Sequence, residues 1–175
     1  SIEAYEFADM NSQYIKPHFE LDPKWTDGID EDQKRSHILD AVSFIVCLFD
    51  ADYSDVCLLY DEKPSKCSIH INLANTFTTM EEMIKMKKAL TNSLKALHFD
   101  IDCVYCRGQS KFRTLYAHKV KNGMLVGKGL QKIDYPELGI YEHEDSDYFV
   151  YNFTNELMRE WKFNPDELQT FSMIY

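Results

Sequence analysis

Three sets of residues in this 175-residue chain have the types and spacing to do chemistry. Cys67-x-x-His70 and Cys103-x-x-Cys106 offer four ligands of the kind zinc takes, with the within-pair spacing of structural zinc sites. Both pairs lie in stretches that read as strands, where residues three apart point to opposite faces, so a tetrahedral site needs a turn at each pair. Buried or half-buried thiols are therefore the expectation, with no metal and no cofactor. Asp50, Asp52, Asp61 and Lys63 form the second set: carboxylates to hold Mg²⁺ and a lysine to assist an attacking water. Acids decorating a turn are the competing reading. The third set is cationic, and consists of Arg107, Lys111, Arg113, Lys119, Lys121 and Lys128, which could contact phosphates.

Charge is segregated along the chain. Residues 1–62 carry net −11, residues 63–133 net +9 and residues 134–175 net −8, within a total of −10. From Cys103 to Ile133 there is no acid at all. Such a stripe attracts nucleic acid, another polyanion or an acidic protein surface, and can also drive self-association against the chain's own acidic blocks.

These residues need a scaffold, and the sequence predicts one. A short strand is expected at about 14–21. Asp30 can cap a helix over 31–48, with Glu31 and Asp32 at its positive end and a stripe of Ile38, Val42, Ile45 and Phe49. VCLLY and CSIHINL read as two strands around the Pro64 loop. Thr78 or Thr79, each with a glutamate three residues on, opens a second helix at about 79–97. FDIDCVYC then reads as a strand. Asn122-Gly123 between FRTLYAHKVK and MLVGKGL predicts a hairpin, because both turn positions need positive φ. Along 112–120 the even positions, Phe112 to Val120, would face the core, leaving Arg113, Lys119 and Lys121 outward. Two helices are expected last, at about 146–161 with Val150, Phe153, Leu157 and Trp161 inward, and after the Asn164-Pro165 cap.

In order, these elements predict an α+β fold, an antiparallel sheet with packed helices in the βαββαβ order of ferredoxin-like domains, plus the basic hairpin and C-terminal helices. The expected organisation is an α+β core over 1–133, including the hairpin at 107–132, with an acidic helical extension at 134–175 packed on the same domain.

Some short stretches resemble known sites. Asp50 or Asp52 followed by Asp61-Glu62-Lys63 resembles the PD-(D/E)xK nuclease site, without its proline-aspartate dipeptide. The DADYSD run resembles the start of an EF-hand loop, but Asp55 stands where the turn requires glycine and Pro64 opposes an exit helix. His70-Ile71-Asn72 resembles, over fewer than ten residues, the metal motif of HUH-type replication endonucleases. Asn72 replaces the second ligand there, and the helix at 79–97 lacks the nucleophilic tyrosine. His98, His118 and His143 have no serine or cysteine at informative spacing, and no glycine-rich phosphate loop is present.

Composition bounds the rest. With 45% hydrophobic and 14% aromatic residues the chain can bury a core. Its longest apolar run is far short of the roughly 20 residues of a membrane span. The acidic first residues predict no secretory signal, and the odd set of five cysteines predicts reduced thiols and a cytoplasmic location. The leading expectation is a non-enzymatic protein that binds nucleic acid or another polyanion through the basic hairpin. The alternatives are an interaction or assembly protein and a metal-dependent nuclease.

Overall fold

The computed structural model describes residues 3–7, 14–63, 67–95, 97–102, 111–154 and 156–167, for 90–95 the backbone alone. The fold is mixed α+β, mostly antiparallel, with two α-helices among the described residues. Helix α1 spans Glu31–Leu48, as expected. Asp30 Oδ1 accepts from the Gln33 amide at 2.8 Å while Gln33 Oε1 accepts from the Asp30 amide at 3.2 Å, so two of the orphan amides at this end are satisfied reciprocally. Helix α2 spans Met80–Lys95, and Thr79 is its capping residue, its Oγ1 accepting from the Glu82 amide.

The main sheet has five strands: β2 (His18–Pro23), β3 (Val56–Asp61), β4 (Ser68–Leu73), β6 (Phe99–Asp102) and β10 (Gln131–Lys132), in the order β10-β3-β4-β2-β6 with every neighbour antiparallel. Its two faces differ because strand side chains alternate. On one face Phe19, Leu21, Leu58, Ile69, Ile71, Leu73 and Phe99 pack with Ile38, Val42, Ile45, Phe49, Met83 and Met86 of the helical segments in one buried cluster. The other face carries His18, Glu20, His70 and Asn72, and is covered by a smaller cluster that joins Cys57 and Leu59 to Leu115, Leu130 and Tyr148. Strand β1 (Tyr5–Phe7) pairs with β7 (Lys111–Arg113) over this second face, where the Phe112 ring stacks on His70 with centroids 4.5 Å apart.

Two expectations fail. The strand foreseen at 112–120 is broken, because after β7 the chain turns through Tyr116 at φ +66°. The Tyr116 amide donates to Leu130, and both Leu115 and Ala117 become buried, so strict alternation is lost. The Asn122-Gly123 turn does form, with φ 54° and 74°, but it joins only β8 (Lys119–Lys121) to β9 (Met124–Val126), which pair with no other strand among the described residues.

The two C-terminal helices are not evident among the described residues either. In their place are a 3₁₀ turn at Asp145–Tyr148, strand β11 (Arg159–Glu160) parallel to β5 (Thr76–Phe77), and a 3₁₀ turn at Pro165–Glu167. Long-range partners take the groups an α-helix would use. The Val150 and Tyr151 amides donate to the Glu6 carboxylate at 2.9 and 3.2 Å, and the Arg159 and Trp161 amides donate to Asn75 and Phe77. The supposed helical stripe is accordingly split: Val150 is buried and Trp161 packs on the core, while Leu157 is 76% exposed.

Candidate functional site

Strand β2 carries Glu20-Leu21-Asp22 and β6 carries Asp100-Ile101-Asp102. In each, an apolar residue separates two acids, so both acids share one face. The register makes the two strands meet acid to acid, Glu20 opposite Asp102 and Asp22 opposite Asp100. Directly opposed like charges destabilise a sheet, and two such pairs stacked along one strand pair make a concentrated negative patch on the helix-free face. His70 of β4 lies on the other side of Glu20, so one row across the sheet reads Leu59, His70, Glu20, Asp102.

Glu20 and His70 are the core of this patch. Burial alone raises the Glu20 carboxyl, but His70, Arg113 and Lys119 outweigh it and hold the group down at about 2. The carboxylate is thus ionised at any ordinary pH. His70 is 2% exposed, and neither of its ring nitrogens has a hydrogen-bond partner. Its Nε2 lies 3.8 Å from Glu20 Oε1, which is beyond hydrogen-bond length. A buried imidazole with both nitrogens unsatisfied is costly, and His70 is held in that state directly beside the carboxylate patch. As placed, no three His, Cys, Asp or Glu side chains converge on a common point among the described residues. One reason is that Asp100 turns aside to Lys24 at 2.9 Å, an exposed ion pair of little strength. The backbone register nevertheless keeps all four acids as immediate neighbours.

His18, two residues before Glu20 on the same face, is buried edge-on to Phe112 and shares a hydrogen bond between its Nδ1 and the Lys16 carbonyl oxygen at 2.9 Å. Burial, assisted by His70, lowers its pKa from 6.5 to about 4. The folded protein therefore holds His18 neutral where the unfolded chain protonates it, so stability complete above pH 6.5 falls as pH drops toward 4. The loss is on the order of 3 kcal/mol. Glu20 adds a second loss from its ordinary 4.5 down to about 2, where the depressed carboxyl is finally protonated. Urea midpoints between pH 7 and 4 should flatten in His18→Asn; an unchanged slope would refute the assignment.

The residues expected from sequence scatter. Arg113 is not an outward cation: it is 6% exposed and its guanidinium pairs with Asp61, which is fully buried. Lys128 pairs with Glu62 at 2.9 Å, and Lys111 lies 4.1 Å from the Tyr5 ring centroid. Lys119 and Lys121 are exposed on β8, and Lys119 is near enough to lower the Glu20 carboxyl. Arg107, Cys103 and Cys106 lie outside the described residues. Cys67 packs in the helix-side cluster while His70 faces the other way, as a spacing of three in a strand dictates. Asp50 and Asp52 precede β3 and Asp61 ends it, five strand steps from Val56 or about 16 Å, so they share no metal site. Lys63 donates to Ser68. Cys57, buried under the 145–148 turn, has its thiol pushed up by burial and is unreactive.

A cleft of about 590 Å³ opens elsewhere, beside the N-terminus of α1, between Trp25, Tyr60 and Tyr135. Two cations lining it are already engaged, Lys34 with Glu31 and Arg35 with Glu137, and it shares no residue with the carboxylate patch. The patch is therefore the better candidate. No protein-family model matches the chain, and no curated protein matches it in sequence. No helix among the described residues is long and apolar enough to cross a membrane.

Proposed function

We propose that this protein binds nucleic acid with its basic hairpin and carries out divalent-cation-dependent phosphoryl transfer on it, making or breaking phosphodiester bonds at the carboxylate patch. The observation that carries this reading is the opposition of Glu20 to Asp102 and of Asp22 to Asp100, next to a buried histidine with no hydrogen-bond partner. Clustered carboxylates suit hard cations such as Mg²⁺ or Mn²⁺, which bind phosphate oxygens in turn. The ions would neutralise charge on the phosphoryl group as a hydroxyl or water oxygen attacks phosphorus and the leaving oxygen departs in line. Lys119 adds a positive charge nearby, and His70 backs the patch from beside Glu20. The strand order β3-β4-β2-β6 with α1 and α2 on the opposite face supports a ferredoxin-like core, whose helix-free face is the one that carries the site.

The test is a labelled primer annealed to a longer template, incubated with Mg²⁺ or Mn²⁺, with and without nucleoside triphosphates. Extension or cleavage that requires the metal supports the proposal. No change of length under any of these conditions, for DNA and for RNA, overturns the catalytic part. Binding is tested separately: Lys119→Glu/Lys121→Glu should weaken affinity and reduce the slope of log K against log salt by about 1 to 2, because fewer counterions are released. An unchanged slope by fluorescence anisotropy would remove the hairpin from the interface.

A further inference from the structure

The β8–β9 hairpin stands apart from the main sheet and ends in large apolar side chains. Met124 is 71% exposed and Leu125 49%, beside the tight Asn122-Gly123 turn. Cross-strand pairs sort its faces. Lys121 is opposite Met124 and Lys119 opposite Val126, so two lysines and the methionine share one face, whereas Val120 and Leu125 share the other. An apolar tip on a cationic arm serves no packing purpose within the described residues, and an uncharged partner would leave the lysines unused.

We propose that this hairpin is an arm that grips a single-stranded stretch of nucleic acid, with Lys119 and Lys121 on phosphates and with Met124 and Leu125 against the faces of unpaired bases. This inference rests on the nucleic-acid reading above and adds the form of the substrate. The two lysines are two strand steps apart, about 7 Å. Successive phosphates along one strand are separated by a comparable through-space distance, so the two lysines can meet neighbouring phosphates of one strand. Unstacked bases expose apolar faces, and methionine and leucine are among the side chains that pack against or wedge between them. The positive φ values of Asn122 and Gly123 make the turn tight, which keeps the tip residues in fixed relation to the lysines.

The experiment compares a labelled oligothymidine with the same oligomer carrying consecutive abasic sites, by anisotropy without divalent metal. The phosphates are identical and only the bases are removed. Wild-type protein should bind the intact oligomer about tenfold more tightly. Met124→Ser/Leu125→Ser should erase that preference while leaving the salt slope unchanged, and both positions are exposed enough for the variant to keep its fold, checked by circular dichroism. Equal wild-type affinity for the two oligomers would overturn the arm's contact with bases and leave phosphate binding standing. Preference retained in the double variant would place the base contact elsewhere and overturn the assignment. Absence of binding to either oligomer at low salt would overturn the nucleic-acid reading itself.

Discussion

Glu20→Gln is expected to abolish metal-dependent turnover, lowering it by roughly a thousandfold or more, the scale set by losing several kcal/mol of cation-mediated charge stabilisation. The exchange keeps the shape of the side chain and removes only its charge, so the sheet should persist. Asp102→Asn, opposite Glu20, is expected to behave alike. Lys24→Ala releases the neighbouring Asp100 and should strengthen cation binding if the patch is where the metal sits. Product length on a denaturing gel, followed across Mn²⁺ concentration, checks all three. Saturating cation should also raise the melting temperature of the wild type, and Glu20→Gln should remove most of that rise. Full activity in Glu20→Gln would move the chemistry away from this face.

Arg113→Met should lower stability by about 3–5 kcal/mol, because it strands the Asp61 carboxylate in the interior. Asp61 is 0% exposed, and Arg113 is its charged partner. The second oxygen of Asp61 accepts from the Lys128 amide at 3.1 Å, delivered by a strap that crosses so closely that a Cβ on Gly127 would lie 2.5 Å from Asp61 Oδ1. Gly127 also has φ +78°, so its replacement is strained as well as crowded. For a chain of this size the expected fall in melting temperature is on the order of 10 °C. Arg113→Met/Asp61→Leu should recover most of it, since replacing a whole buried pair with apolar groups is close to neutral. A small loss in the single variant, measured by urea denaturation, would mean the pair is solvated. The ion pair also ties β7 to the end of β3, which holds Phe112 over His70 and so shapes the site.

Helices α1 and α2, the strands β3 and β4 and the Asn-Gly turn were all legible in the sequence. Each is specified within a few residues, by a cap, an apolar stripe or a turn dipeptide. The C-terminal segment shows the limit of that logic. Its apolar spacing fits a helix, yet Glu6, Asn75 and Phe77 supply partners to its amides from far along the chain. Arg113 misled for the same reason. Alternation along 112–120 turned it outward, but the buried carboxylate that draws it in belongs to a strand some fifty residues earlier.

The candidate site was present in the sequence as two fragments, Glu20-Leu21-Asp22 and Asp100-Ile101-Asp102, each an acid-apolar-acid run within a strand. Either alone reads as a solvated strand face. By itself, the sequence determined helices α1 and α2, strands β3 and β4, the cationic centre between acidic flanks, and the Asn122-Gly123 turn beside Lys119 and Lys121. Only the tertiary structure decided that the two acidic runs lie side by side, that His70 flanks them and that Arg113 is withdrawn from the surface. The physical reason is range: caps, periodicity and turns act over a few residues, whereas register between β2 and β6 is set by packing across the whole sheet.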